Sequence, residues 1–190
     1  MKRLFFAVDL DDPTREAVEH ISASARQWAR QAGTLGRISW VSAARMHLTL
    51  HFLEEADQAL EQRALSALAE PIRVAQFNLT FNRLGCFPPS GSPRVLWLGV
   101  SEGLSALGRV HEVLGRRLGV RAAAREPFNP HLTLARFRDR VPRREITQMG
   151  AIPAAAGPCP IDRVTLYESR LAAGGPTYIA LAEAHLEART

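Results

Sequence analysis

The alternation of apolar and polar residues predicts a strand followed by a long helix at the start of the chain. Residues 4–8 form a short apolar run that is typical of a buried strand. Asp11, Asp12 and Pro13 follow, and acids near the cap with proline in the first turn favour a helix N-terminus. Apolar residues then recur at helical spacing until Gly33, where we expect this helix to end.

The rest of the chain predicts a mixture of strands and helices. The clearest strand is at 77–82, where apolar and polar side chains alternate. The residues from 150 to 160 are rich in Ala, Pro and Gly and predict a loop. The remaining expected strands are 38–41, 46–53, 95–100, 128–137, 161–168 and 178–186, and the remaining helices are 59–69, 104–118 and 141–149.

The order of these elements indicates an internal duplication. A helix, a strand containing His-x-Thr and a closing pair of strands occur around residue 47 and again around residue 131, where the last two strands close the second half. Two similar lobes facing one another are the simplest architecture for such an order. We therefore predict an α+β fold in one bilobal domain, 1–190, in which each lobe has an antiparallel sheet with flanking helices and a cleft lies between the lobes.

Composition places the chain among ordinary globular proteins and favours an anionic partner. It is 46% hydrophobic and 23% charged, with a net charge of +5 carried almost entirely by arginine. Arginine suits phosphate geometry, although a genome rich in G and C would also enrich arginine. Cys86 and Cys159 lack metal or disulfide spacing, and no apolar run has the length of a membrane span. We expect a cytoplasmic protein.

The most informative pattern is a repeated tetrapeptide. Residues 47–50 and 131–134 both read His-Leu-Thr-Leu. Side chains alternate between the two faces of a strand, so each histidine should share a polar face with its threonine while both leucines enter the core. One such motif is typical of an ordinary strand with a surface histidine. Two by chance are expected on the order of a few per cent of the time, so the pair indicates one cleft lined by both motifs.

Splitting a phosphodiester requires the groups that this cleft would contain. One group must take a proton from the attacking water, and another must protonate the departing oxygen. Histidine titrates near neutrality, so of His47 and His131 one ring can be neutral while the other is protonated. Thr49 and Thr133 can donate hydrogen bonds to non-bridging phosphate oxygens. Positioned proton transfer contributes about 10²–10⁴-fold per group without a metal.

Three further residues are candidate substrate contacts. Strand alternation predicts that His51 and Arg45 face the cleft with His47, His51 to line it or contact substrate and Arg45 to contact a backbone phosphate. The alternative for His51 is a position at the surface. A metal ion bound by both His47 and His51 is not expected, because their Cα atoms would be roughly 13 Å apart. Arg136 falls on the opposite pleat from Thr133 in a regular strand, which counts against direct phosphate binding.

Other side chains have two interpretations each. Four arginines between 138 and 144 form a basic run that either is a solvated face or steers RNA toward the cleft. Tyr167 and Phe87 could each stack a base or belong to the core, and we favour the core for Phe87. No three or four metal ligands come together in the sequence, so no metal or cofactor is predicted.

The paired motifs resemble those of the two-histidine (2H) phosphoesterases, and in particular the RNA 2′,3′-cyclic phosphodiesterases, also called 2′-5′ RNA ligases. The similarity covers nearly the whole chain. It extends to the apolar start at 3–8, to 94–97, to Pro130 and Arg136 around the second motif, and to 166–171 and 175–178. One departure is Glu54, because the first motif of the family commonly continues Phe-Leu-Gly; we expect this to change a turn or to narrow substrate tolerance.

The resemblance implies a function and a role for each histidine. It implies that His47 donates a proton to the leaving oxygen, that His131 accepts one from water, and that Arg136 contacts phosphate or supports the strand end. The expected reaction is metal-independent opening of a terminal 2′,3′-cyclic phosphate on RNA, tRNA fragments included, with 2′-5′ ligation as its reverse. We expect a monomer. The alternative is an RNA-end binding module with little catalysis.

Overall fold

The computed structural model describes residues 1–33, 36, 38–119, 128–172 and 175–188. These residues form four α-helices and ten β-strands. The helices are α1 (Asp12–Ala32), α2 (Gln58–Ala67), α3 (Leu104–Leu118) and α4 (Arg143–Met149). The strands are β1 (Lys2–Asp9), β2 (Ile38–Trp40), β3 (His47–Ala56), β4 (Ile72–Ala75), β5 (Phe77–Phe87), β6 (Val95–Glu102), β7 (His131–Phe137), β8 (Ala156–Ile161), β9 (Arg163–Ala172) and β10 (Gly175–Glu187).

Capping residues define the ends of the long first helix. The Asp11 side chain accepts a hydrogen bond from the backbone N–H of Thr14 at 3.2 Å, which satisfies one of the unpaired donors of the first turn. Gly33 ends the helix at φ 66°, a left-handed conformation that glycine adopts without a Cβ penalty. The predicted start and end of α1 are therefore confirmed, as are the bounds of α3 at 104–118.

The strands form one sheet that is divided into two lobes. Its order is β4-β10-β9-β1-β3-β7-β6-β5-β8, with β2 paired to β7 outside this path. The first lobe comprises β1, β3, β4, β9 and β10, and the second comprises β2, β5, β6, β7 and β8. Neighbours are antiparallel except for β10 with β4, which are parallel. The lobes join where β3 pairs with β7 through Leu48 and Leu132. The bilobal α+β architecture is confirmed.

Each lobe is completed by a strand from the other repeat. The repeats are β1-α1-β3-α2-β4-β5 and β6-α3-β7-α4-β8-β9. However, β5 pairs with β6 in the second lobe, and β9 pairs with β1 in the first. Helices are exchanged too, since α1 packs on β8 whereas α3 packs on β3 and β4. The expectation that the last two strands close the second half was therefore wrong, because β9 and β10 belong to the first lobe.

Three local predictions also need correction. The loop expected at 150–160 contains β8, whose residues pair with β5 from Phe77 to Phe81. Strand β4 was not predicted; its four residues Ile72–Ala75 alternate between buried and exposed, a pattern too short to stand out. Glu54 lies within β3 with an exposed side chain, so it occupies a strand and no turn.

Cys159 is buried and Cys86 is half-buried, and both are free thiols. Among the described residues, no helix combines the length and apolarity required to cross a bilayer.

Candidate active site

The two His-Leu-Thr-Leu motifs lie side by side at the junction of the lobes. Because Leu48 pairs with Leu132 in antiparallel register, the neighbouring positions bring His47 next to Thr133 and Thr49 next to His131. Both leucines are fully buried, and the four polar side chains occupy the opposite face, half-exposed. Each histidine thus has the threonine of the other motif as its cross-strand neighbour.

A β-bulge lies at the last residue of each motif. In the first lobe Thr49 pairs with Ala7 and His51 with Phe6, so Leu50 is the additional residue on β3. In the second lobe Thr133 pairs with Trp97 and Ala135 with Leu96, so Leu134 is the additional residue on β7. A bulge reverses the alternation of every side chain beyond it.

The bulges correct two predictions about the cleft. His51 turns away from His47 and contacts α3, where its ring stacks on His111 with centroids 4.0 Å apart. It therefore does not line the cleft, and the prediction of a substrate contact was wrong. Arg136 returns to the cleft side, between the buried Ala135 and Phe137, and its charge acts on the His131 ring. Because of the bulge, Arg136 lies on the same face as Thr133, contrary to the prediction from regular alternation.

His47 is held by its backbone neighbour and by aromatic rings. Its Nδ1 lies 2.9 Å from the Arg45 carbonyl oxygen, an acceptor, so Nδ1 carries the hydrogen and Nε2 is left for the cleft. The Phe5 ring stacks on it at 4.6 Å, and the Tyr178 ring packs edge-on at 5.1 Å. These contacts fix both the tautomer and the orientation of the ring.

His131 has an equivalent arrangement built from different residues. Its Nδ1 lies 2.7 Å from the Asn129 carbonyl oxygen, which again leaves Nε2 for the cleft. Phe87 packs edge-on at 4.9 Å, and the Trp97 ring lies 6.5 Å away. Phe87 is therefore a wall of the site and only half-buried, where a core position was favoured. Trp97 lies across Gly85, where a Cβ would come within 2.3 Å of its ring.

The two rings differ in the charges around them. Burial is the main cause that lowers the pKa of both, and the backbone hydrogen bond of each acts against it. The Asp9 carboxylate additionally raises the pKa of His47, whereas the Arg136 guanidinium additionally lowers that of His131. The charges thus favour a proton on His47 over one on His131.

Asp9 is a site residue that the sequence analysis missed. It pairs with His47 across β1 and β3, and its Oδ2 accepts a hydrogen bond of 2.8 Å from the Tyr167 hydroxyl. Burial and this bond raise the pKa of Tyr167 well above its usual range. Tyr167 thus supports Asp9 and stacks on Phe5 at 5.3 Å. The available indication in the sequence was an acid directly after a buried strand.

Arginines surround Tyr178 at the side of the cleft. Arg3, Arg45 and Arg136 all act electrostatically on its hydroxyl, although burial dominates and raises its pKa. Arg45 lies at the end of a short 3₁₀ turn, where Nε donates to the Ser42 hydroxyl at 2.9 Å. Positive charge is therefore concentrated around Tyr178, on the side of the cleft where Arg45 was expected to contact phosphate.

One arginine of the basic run has a structural position. Arg143 donates to the carbonyl oxygens of Pro88 and Gly91 and to the Cys86 sulfur at 3.2 Å. These hydrogen bonds hold the Arg143 guanidinium against the turn after Phe87, so its donors are occupied and unsuited to steering RNA. Within the described residues, no group of three or more His, Cys, Asp or Glu side chains could hold a metal ion.

Comparison with known proteins identifies the family. Residues 10–172 match the family model of the 2'-5' RNA ligase superfamily. The chain is 36% identical to the RNA 2',3'-cyclic phosphodiesterase of Escherichia coli K12 over 95% of this chain and 94% of that protein. It is 32% identical to the enzyme of the same name from Archaeoglobus fulgidus over 93% and 96%.

Solved structures agree with the sequence comparison. Apo Escherichia coli LigT superposes with a TM-score of 0.72 at 32% identity, covering 97% of both chains. LigT complexed with 3'-AMP superposes with a TM-score of 0.68 at 31% identity, covering 97% of this chain and 98% of that one. With its bilobal sheet and paired His-Leu-Thr-Leu strands, the chain belongs to the 2'-5' RNA ligase superfamily of 2H phosphoesterases.

Proposed function

We propose that this protein is an RNA 2′,3′-cyclic phosphodiesterase that opens a terminal cyclic phosphate to a 2′-phosphomonoester. The observation that carries the proposal is the juxtaposition of the two motifs, which gives one cleft two imidazole Nε2 atoms and two threonine hydroxyls. Relatives that match over nearly the whole chain bear this name, and LigT has been crystallised with 3'-AMP and with phosphate.

The reaction divides between the two rings. Water attacks phosphorus while His131 Nε2 removes its proton, and the bond between phosphorus and O3′ breaks as His47 Nε2 protonates that oxygen. The threonine hydroxyls donate to the non-bridging oxygens, where negative charge increases in the transition state. The strained five-membered ester supplies reactivity, so the protein provides positioning and proton transfer.

The charge difference supports this assignment of acid and base. A general acid must hold its proton before the step, and the Asp9 carboxylate favours a protonated His47. A general base must be neutral, and Arg136 disfavours a proton on His131. With the 5′-hydroxyl of a second RNA in place of water, the same site would form a bond between that oxygen and phosphorus and release O3′, which leaves a 2′-5′ linkage, although the excess of water favours hydrolysis.

The decisive measurement is turnover of an oligonucleotide ending in a 2′,3′-cyclic phosphate. His47→Ala and His131→Ala should each lower kcat by about 10²–10⁴-fold, because each removes one positioned proton transfer. The double variant should be little worse than either single variant, since groups that act as a unit are not additive. The pH profile of kcat/KM should be bell-shaped, with limbs that belong to the pair.

A matched control is His20→Ala, which changes an exposed histidine of α1. It should leave turnover unchanged. Near-normal turnover of both motif variants would contradict the assignment of acid and base to these two rings. Binding of the cyclic end by the wild-type protein without any turnover would instead favour the RNA-end binding module. Activity lost on chelation and restored by one divalent ion would contradict the metal-free mechanism.

A further inference from the structure

Three aromatic rings form a continuous stack behind the cleft. His51 lies on His111 with centroids 4.0 Å apart and planes 7° apart, and His111 lies on Phe128 at 4.2 Å and 9°. All three are partly buried between β3, α3 and the segment before β7. Near-parallel stacking of two imidazoles on a phenyl ring restricts the motion of all three.

Two hydrogen bonds between the side chains and backbone also connect β3 with α3 at these histidines. His51 Nε2 lies 2.8 Å from the backbone oxygen of His111, and His111 Nδ1 lies 3.0 Å from the backbone oxygen of Leu50. Both acceptors are carbonyls, so each ring donates through the named nitrogen. Burial lowers the pKa of His51, in keeping with a neutral ring.

The stack connects the surroundings of both motifs. The middle ring, His111, donates to the carbonyl of Leu50, the bulged residue that follows Thr49. The end ring, Phe128, adjoins Asn129, whose carbonyl fixes the His131 ring. Thr49 and His131 are themselves cross-strand neighbours. The stack therefore constrains two groups that must meet the same phosphate.

We propose that His111, together with His51, is a positioning residue that holds the Leu50 bulge and the Asn129 carbonyl in register, so that Thr49 and His131 engage the substrate together. Neither ring contacts substrate, because both lie on the helix side of β3. The inference rests on the proposed function for its kinetic consequence alone. A loosened stack would misplace Thr49 and His131 by fractions of an ångström while leaving the arginines near Tyr178 in place.

The kinetic signature is therefore a loss in kcat with little change in KM. Misplacement of about 1 Å costs about 100-fold in rate, so His111→Ala should lower kcat by about tenfold to a hundredfold. Two variants separate the two contacts. His111→Phe keeps the stack and removes the donor, whereas His111→Asn keeps a donor near the Nδ1 position and removes the stack. Each should retain more activity than His111→Ala.

A second measurement does not depend on turnover. Nitrogen-15 NMR of the His131 ring reports the hydrogen bond from Nδ1 to Asn129, which His111→Ala should weaken and His20→Ala should leave unchanged. A purely structural role would lower the melting temperature without moving kcat or this resonance at a temperature where the protein is folded. If His111→Ala does not fold, the Phe and Asn variants decide the question.

The possible failures are distinguishable. If the wild-type protein has no turnover on the cyclic-phosphate oligonucleotide, the proposed function fails and the His131 resonance alone tests the positioning. If wild-type turnover is normal and folded His111 variants keep both kcat and the resonance, the positioning proposal is overturned and the function stands.

Discussion

His47 and His131 lie in identical tetrapeptides, and the Nδ1 of each ring donates to a backbone carbonyl oxygen. The charged groups that act on the two rings have opposite signs. Asp9 is opposite His47 on β1, whereas Gly99 occupies the corresponding place opposite His131 on β6. Arg136 is the charged group that acts on His131. Two residues outside the motifs therefore make the two rings electrostatically different, and the proposed roles of acid and base rest on this difference, which the motifs alone do not contain.

Asp9→Asn should move the basic limb of the pH profile of kcat/KM to lower pH. That limb reports loss of the proton from the acid, and removing the carboxylate removes an interaction that raises the pKa of His47. The profile is measured with a cyclic mononucleotide, for which substrate phosphates do not titrate in this range. An unchanged basic limb would contradict the assignment of His47 as the acid.

Arg136→Gln is the complementary change. Loss of the guanidinium should raise the pKa of His131, so the acidic limb should move to higher pH, and it should move further than the basic limb does. Arg144→Gln is the matched control, since this side chain is 82% exposed and pairs with Glu145 away from the site. A shift of the same limb in both variants would indicate a general charge effect.

At the scale of elements, the bulges explain what the sequence could and could not predict. Strand alternation correctly placed His47, Thr49, His131 and Thr133 on one face, because it was applied before the bulge. Beyond the bulge the alternation reverses, so the prediction wrongly put His51 in the cleft and wrongly put Arg136 on the opposite face. A bulge depends on the register between two strands that are distant in sequence. The tetrapeptide pattern does not indicate that register.

Packing of Trp97 offers a test of the second lobe. Gly85→Ala would put a Cβ within 2.3 Å of a rigid indole, so Trp97 must shift from its place beside His131, and we expect a lower melting temperature and a lower kcat. Gly108→Ala in α3 meets no atom within 4 Å. It should stabilise the protein by about 0.5–1 kcal/mol with unchanged kcat. Equal behaviour of the two variants in thermal unfolding and turnover would contradict this account.

At the scale of the whole molecule, the number of lobes was predictable and their strand content was not. Duplicated elements indicated two lobes because each repeat carries one motif. Which strand completes which sheet depends on long-range pairing, and periodicity reports only which segments are extended. The exchange of β5 and β9 was therefore beyond the sequence pattern.

Because the net charge is +5, we expect the effect of salt on the reaction to depend on the length of the substrate. Arg3, Arg45 or Arg136 could contact phosphates beyond the cyclic end. For each such contact, a plot of log(kcat/KM) on an oligonucleotide against the logarithm of the salt concentration should have a slope of about −0.7. A cyclic mononucleotide should show a shallower slope. Equal slopes for the two substrates would place RNA phosphates away from these arginines.

The exchange of strands also sets the order in which the protein can mature on the ribosome. When residues 1–102 have been made, β5 and β6 can pair, yet β1 still lacks β9 and β7 is absent. The free side of β1 is covered only after residue 172 has emerged, so the nascent chain carries an unpaired, apolar strand edge through most of its synthesis. Such edges favour association between chains, and here the edge stays open to association until β9 pairs with β1.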